Sequence, residues 1–166
     1  MGHWYCISFF LVLSIALLSS CHAHDAGNSQ EDYVSVHNCI RKVLNIPPLQ
    51  YDPALEQAAQ AWADQRKDCK LIHSDRCGEN MAFGPSVTSR VFPLNITYAV
   101  QMWLDERRDY DCKENKCKKM CGHYTQIVWK NTQKVGCARS PCSDGTCFVV
   151  VCNYDPPGNV VGEVPY

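Results

Sequence analysis

Two histidines and two glutamates are the side chains of this sequence whose types suit a metal or ligand site. His73 comes shortly before Gly78-Glu79-Asn80, in a stretch that we predict to be a loop. Glu106 lies one helical turn after Trp103, and His123 precedes an apolar segment. Imidazole nitrogens and carboxylate oxygens can together hold a divalent metal. The same four groups could instead form a hydrogen-bond network without a metal. Their wide separation in the sequence leaves both alternatives open.

Composition and missing motifs exclude several function classes. The chain contains no HExxH zinc-protease motif, no GxSxG nucleophile elbow, no P-loop and no dinucleotide fingerprint. Its 16 basic and 17 acidic residues nearly cancel, which argues against nucleic acid as a partner because phosphate binding needs a basic surface. Hydrophobic residues make up 46% of the chain, which excludes a disordered protein.

The cysteines indicate an exported protein. There are 12 of them, more than a reducing cytosol usually leaves as thiols. Residues 7–18 are apolar and small residues follow, which is typical of a signal peptide and too short to span a membrane. We therefore predict that residues 1–23 are removed, together with Cys6 and Cys21. The ten remaining cysteines are even in number, which favours disulfides over zinc ligands or a free nucleophilic thiol.

Residues 28–166 are predicted to form a single α+β domain. Apolar residues recur at helical spacing in three segments, residues 33–44, 52–62 and 96–104. β-Branched and aromatic residues then predict three strands, Thr125–Trp129, Val135–Ala138 and Cys147–Cys152. Helices followed by an antiparallel meander are typical of a layered domain. The Pro- and Gly-rich tail after Asp155 is predicted to be irregular.

A series of motifs runs in order through nearly the whole predicted mature chain. They are His37-Asn38, Asp68-Cys69, His73-Ser74, Gly78-Glu79-Asn80, Gly122-His123-Tyr124-Thr125-Gln126-Ile127-Val128-Trp129 and Cys152-Asn153-Tyr154-Asp155-Pro156-Pro157-Gly158-Asn159. This series resembles the plant pathogenesis-related class 1 proteins, which belong to the CAP superfamily with the cysteine-rich secretory proteins and antigen 5. With Pro165-Tyr166 at its end, the chain most resembles the plant branch.

The resemblance implies a fold and a site. The fold is a three-layer α-β-α sandwich stapled by disulfides. The cleft tetrad of the family maps onto His73, Glu79, Glu106 and His123, and in some members this tetrad binds zinc. The framework cysteines of the family map onto Cys69, Cys117, Cys121, Cys137, Cys142 and Cys152.

Other features depart from the family pattern. Four further cysteines predict two additional disulfides, and they are Cys39, Cys77, Cys112 and Cys147. Asn95-Ile96-Thr97 is a glycosylation sequon. Aromatic residues in the loop before His123 contact the lipid in sterol-binding relatives. Here the lysine-rich loop, residues 110–120, has one aromatic residue and four lysines, so the resemblance gives less support to a sterol contact there.

The resemblance also implies a function. We expect a monomeric protein that is secreted to the apoplast and binds sterols or related lipids of fungi and oomycetes, without being an enzyme and without a required cofactor. An alternative is a precursor from which a processing protease releases Pro156–Tyr166 by cutting after Asp155. A further alternative is a zinc-dependent hydrolase, because two imidazoles and two carboxylates could hold a metal-bound water and a general base.

Overall fold

The computed structural model describes residues 27–86 and 94–166, so the predicted signal peptide lies outside the described residues. The helices are α1 (Gln30–Val43), α2 (Pro53–Gln65), α3 (Ile96–Asp105) and α4 (Gly122–Ile127), with a 3-10 turn at Glu106–Asp109. The strands are β1 (Gln50–Tyr51), β2 (Glu79–Pro85), β3 (Tyr110–Asp111), β4 (Lys116–Cys117), β5 (Lys134–Pro141) and β6 (Cys147–Asp155). No helix within the described ranges is long and apolar enough to cross a membrane.

Helices α1 and α2 begin at capping residues. The hydroxyl of Ser29 accepts a hydrogen bond from the amide of Asp32, and the Asp32 carboxylate accepts one from the amide of Ser29. At α2 the carboxylate of Asp52 accepts from two backbone amides, and Pro53 occupies the first helical position. These contacts confirm the first two predicted helices and fix where they begin.

The central sheet separates two helical layers. Its strand order is β1-β5-β6-β2, with β2, β6 and β5 antiparallel and β1 parallel to β5. Helix α2 packs on one face against β5 and β6. Helices α1, α3 and α4 bury their apolar residues together on the opposite face. This layering confirms the predicted α-β-α sandwich.

Close packing of α2 on β5 depends on Gly136. A Cβ atom at this position would overlap the backbone of Leu55 and Glu56 at the start of α2. On the neighbouring strand β6, the side-chain amide of Asn153 donates to the carbonyl of Leu55 at 3.3 Å. The first turn of α2 therefore lies directly on the sheet.

Two predictions of secondary structure are wrong. Thr125–Trp129 was predicted as a strand, whereas its first three residues complete helix α4 and the remaining two lie beyond the helix. The stretch containing Glu79 and Asn80 was predicted as a loop, whereas it begins β2, an edge strand of the sheet. Since β2 pairs with β6, this strand carries one tetrad residue into the regular part of the fold.

Candidate functional site: two histidine–glutamate pairs

The first pair joins His73 to Glu79. The imidazole Nδ1 lies 2.8 Å from the Glu79 Oε1 atom. Ser74 donates from its amide to the same oxygen at 3.0 Å and from its hydroxyl to Oε2 at 2.6 Å. The Glu79 side chain is 1% exposed, whereas that of His73 is 55% exposed. The buried carboxylate is therefore fully engaged, and the imidazole extends from it toward solvent.

A left-handed glycine places Glu79 at the start of β2. Gly78 has a φ angle of 73°, and its carbonyl accepts from the amide of Tyr154 at 2.8 Å. A Cβ atom here would lie 2.8 Å from the Tyr154 carbonyl oxygen and 2.9 Å from Pro157. Only glycine allows both the left-handed backbone and this close approach of neighbouring atoms without strain.

The second pair joins Glu106 to His123. The Glu106 Oε1 atom accepts from Nδ1 of His123 at 2.7 Å, and Oε2 accepts from the amides of His123 and Tyr124 at 3.1 and 3.4 Å. The ring of Trp103 stacks on the His123 ring with centroids 5.7 Å apart. Glu106 thus caps the first turn of α4 and orients its histidine at the same time.

The hydrogen bonds define what the imidazoles can offer. Each glutamate carboxylate accepts a hydrogen bond from Nδ1 of its histidine. The other ring nitrogen, Nε2, therefore stays available to a ligand in both His73 and His123. In catalytic zinc sites the protein usually supplies three ligands to the metal. Within residues 27–86 and 94–166, no three His, Cys, Asp or Glu side chains are grouped closely enough to hold a metal ion. As arranged, the tetrad forms two separate pairs and does not make a metal cage.

A buried network behind the second pair was not found by sequence reasoning. Asn80 donates from Nδ2 to the carbonyl of His123 at 3.1 Å and to the hydroxyl of Tyr154 at 3.3 Å. That hydroxyl lies 2.8 Å from Nε2 of His37. The available signal was the presence of all four residues in the quoted motifs, which could not indicate that they touch.

The comparisons with known proteins agree with this architecture. Residues 34–154 match the Cysteine-rich secretory protein family, CAP. The chain belongs to this family. It is 46% identical to pathogenesis-related protein 1B of Nicotiana tabacum, over 96% of this chain and 94% of the relative. It is 41% identical to a pathogenesis-related protein of PR-1 type from Sambucus nigra, over 99% and 98%.

Solved structures of other CAP proteins share the fold. Venom allergen-like protein 4 of Schistosoma mansoni superposes with a TM-score of 0.64 at 26% identity, covering 82% of this chain and 92% of that one. The structure of NaASP2 with Zn²⁺ gives 0.66 at 26% identity, covering 86% and 88%. Zinc is thus recorded for that protein, and its fold is the one seen here.

The six framework cysteines form three disulfides within the CAP domain. The bridges are Cys69–Cys142, Cys117–Cys121 and Cys137–Cys152. The last pair lies directly opposite on β5 and β6.

The predicted extra disulfides are corrected in part. Cys39 and Cys112 are each disulfide-bonded, whereas Cys77 and Cys147 are free thiols. Cys77 lies two residues before the start of β2, whereas Cys147 pairs with Pro85 at the other end of that strand. Seven residues of extended chain span about 20 Å, far beyond the reach of a disulfide.

The C-terminal tail lies across the domain and is tied down near both of its ends. The amide of Gly158 donates to Gln126 at 2.8 Å, and Asn159 donates to the carbonyl of Gly122 at 2.9 Å. At the other end, the carbonyl of Pro165 accepts from the amide of Lys130 at 2.7 Å. The predicted irregular tail is therefore irregular in backbone but fixed in position.

Proposed function

We propose that this CAP protein is a secreted defence protein of the apoplast that binds sterols or related lipids of fungal and oomycete pathogens. The observation that carries the proposal is the similarity to plant relatives named pathogenesis-related protein 1, which extends over nearly the whole chain. Three disulfides among the framework cysteines support an oxidising compartment. A signal peptide at residues 1–23 and a glycan at Asn95 belong to the same proposal.

Binding is favoured over catalysis by the way the tetrad is used. Both carboxylates accept hydrogen bonds from a histidine and from neighbouring donors, so neither carboxylate is left as the general base of a metal-dependent hydrolase. A zinc-dependent hydrolase would need a third protein ligand that the described part of the chain does not group with the histidines. We therefore propose no enzymatic activity and no required cofactor.

The lipid contact is proposed on α3 rather than on the lysine-rich loop. The aromatic residue of that loop, Tyr110, packs inward against Tyr124 and Tyr166, with ring centroids 6.0 and 6.3 Å away. By contrast, Tyr98 and Met102 of α3 are 47% and 41% exposed. They lie four residues apart, so they are neighbours on the helix surface and together offer an apolar contact.

The test is saturable binding of a labelled sterol to the oxidised protein, with unlabelled sterol as competitor. We expect competable binding by the wild type and a loss of roughly 100-fold when Tyr98 and Met102 are both changed to serine, since each buried apolar side chain contributes about 1.5 kcal/mol or more. The matched control changes Leu71 and Ile72 to serine, which are also large and exposed. Absence of competable binding by the folded wild type would contradict sterol capture. Equal losses in both variants would contradict the placement on α3.

A second candidate is release of Pro156–Tyr166 as a signalling peptide. The favouring observation is that the middle of the tail is open, with Val161 99% exposed between the two fixed ends. The Asp155 carbonyl, however, accepts from the amide of Gln133 at 2.9 Å, and the Pro156 carbonyl accepts from Thr132 at 2.9 Å. A processing protease must therefore act on a locally opened tail. Mass spectrometry of secreted material after elicitation should detect the peptide, and full-length chain alone would contradict this candidate.

A further inference from the structure

The lysine-rich loop is a basic surface that the proposed function leaves without a role. The loop and the three residues before it, 107–120 in all, contain six lysines and arginines against three carboxylates, a surplus of three positive charges on a chain whose total charge is −1. Residues 113–120 are all exposed. One lysine, Lys118, pairs with Asp111 at 3.6 Å. Within the described structure no ion pair engages Lys113, Lys116 or Lys119.

The loop is held in one shape before any partner arrives. Strands β3 and β4 pair with each other, and the Asp111 carboxylate accepts from the amides of Lys113 and Glu114 at the turn. The Cys117–Cys121 disulfide then closes a short ring around the next three residues, Lys118, Lys119 and Met120. A rigid loop loses little conformational entropy on binding, so its charges act together.

Exposed apolar side chains lie beside these charges. Met120, the last residue inside the disulfide ring, is 69% exposed. The tail passes next to the ring because Asn115 donates to the carbonyl of Glu163 at 2.8 Å and Asn159 donates to that of Gly122 at 2.9 Å. Those two contacts bracket an exposed tail segment that contains Val160 and Val161. The surface thus combines cations with apolar groups contributed by two separate segments.

We propose that the lysine-rich loop and the tail segment 160–164 together dock the protein on an anionic phospholipid bilayer. The lysines match the negative surface of such a bilayer, and Met120 with Val161 can enter the boundary between headgroups and acyl chains. A soluble polyanion such as an acidic polysaccharide would use the lysines but would have no use for the apolar residues. The presence of both groups therefore favours the bilayer. This docking does not depend on sterol capture.

The experiment measures sedimentation of the full oxidised protein with phosphatidylcholine vesicles, prepared with and without phosphatidylserine and free of sterol. We expect binding to the anionic vesicles only. Changing Lys113, Lys116 and Lys119 together to glutamine should weaken it on the order of 100-fold, because each lysine near an anionic surface contributes roughly fivefold. The matched control changes Lys67, Lys70 and Arg76 to glutamine, three exposed basic residues elsewhere, and should bind like the wild type.

A second pair of variants tests the apolar part. Changing Met120 and Val161 to serine should weaken vesicle binding at least several-fold, whereas changing Leu71 and Ile72 to serine should leave it intact. Equal binding of the wild type to both kinds of vesicle would overturn the proposal. An equal loss of binding in the two triple glutamine variants would also overturn it. Full binding by the serine variant, with tight binding to polygalacturonate in solution, would also overturn it in favour of a soluble polyanion. Unchanged melting temperatures of the variants confirm that each is folded.

Discussion

His37 and Tyr154 are joined across the core by a hydrogen bond of 2.8 Å between Nε2 and the phenol oxygen, although 117 residues separate them in sequence. The other ring nitrogen, Nδ1, lies 2.7 Å from the carbonyl oxygen of Tyr33. Because a carbonyl can only accept, Nδ1 carries a proton. Burial lowers the pKa of His37 to about 4, so at neutral pH Nε2 is unprotonated and accepts a hydrogen bond from the Tyr154 hydroxyl. His37 is therefore neutral in the folded protein, and its network ends at the backbone of His123 through Asn80.

This buried neutral histidine makes stability depend on pH. Burial lowers the pKa of His37 from 6.5 to about 4. Between these values the unfolded chain binds a proton that the folded protein does not, so the free energy of unfolding falls as the pH is lowered from 6.5 to 4. The full loss is about 3 kcal/mol. In denaturant titrations, His37→Gln should remove this part of the pH dependence, whereas His73→Gln, at an exposed histidine, should keep it. Parallel curves for the wild type and His37→Gln would refute the assignment.

Arg41 is a buried cation that is satisfied entirely by backbone carbonyls. Its guanidinium donates to the carbonyls of Ile127, Trp129 and Thr132 at 2.8 to 2.9 Å, and also to that of Pro47. Burial lowers its pKa to about 10, so it stays charged at neutral pH. The side chain thereby fastens α1 to the segment that follows α4.

We expect Arg41→Met to lower the free energy of unfolding by more than about 3 kcal/mol, because it leaves several buried carbonyls unpaired. Arg41→Lys should give an intermediate value, since an ammonium has three donors and lacks the planar fork. Arg108→Met is the control, because Arg108 makes one exposed hydrogen bond and should change stability by less than about 1 kcal/mol. Denaturant unfolding measures all three, and similar losses for Arg41→Met and Arg108→Met would contradict the expectation.

The sequence predicted the elements whose signals are local and missed those that depend on distant partners. Asp52 and Pro53 specify the start of α2 by themselves. The segment that forms α4 was predicted to be a strand because β-branched and aromatic residues follow His123. It is a helix in the structure, where Glu106 from another element accepts hydrogen bonds from its first backbone amides. The four residues of the tetrad were proposed from their types, and the family motifs then supported the choice. Its division into two pairs, and the burial of Glu79, could not be predicted because they depend on tertiary packing.

The three disulfides between framework cysteines should stabilise the domain more the longer the chain segment they close. Cys69–Cys142 closes 73 residues, Cys137–Cys152 closes 15 and Cys117–Cys121 closes 4. In the chain-entropy description, replacing each pair by alanine costs about 4, 3 and 2 kcal/mol in that order. Denaturant unfolding of the three double variants checks the ranking. The largest loss at Cys117–Cys121 would be incompatible with it.

Zinc should contribute nothing to the stability of the fold. His73 and His123 are each oriented by a glutamate, with no metal needed to hold either pair together. We expect the melting temperature to be the same with and without a strong chelator, and zinc titration by calorimetry to show only weak binding, which His123→Ala reduces and the double change of His73 and His123 to alanine abolishes. If chelation lowered the melting temperature by several degrees, the fold would depend on a metal and this expectation would be wrong.

Opening of the C-terminal tail should be controlled by Gly158. A Cβ atom at this position would lie 2.7 to 2.8 Å from the Trp129 side chain and 2.8 Å from the Gln126 amide nitrogen, so alanine must push the tail away from its anchor. We expect Gly158→Ala to speed hydrogen exchange of the amide at position 158, which donates to Gln126 in the wild type. Exchange should rise roughly tenfold for each 1.4 kcal/mol by which the free energy of opening the tail falls. The Lys130 amide, which donates to Pro165, reports whether the far end of the tail opens together with it.

Val161→Ala is the matched control, because Val161 is almost fully exposed and its loss leaves the anchoring contacts intact. If the tail opens as a unit, Gly158→Ala accelerates exchange at both amides and Val161→Ala at neither. The same variant should then yield more of the Pro156–Tyr166 peptide in secreted material, since cleavage follows the population of the open form. Exchange rates equal to those of the wild type would mean that Gly158 does not hold the tail, and that another contact limits its release.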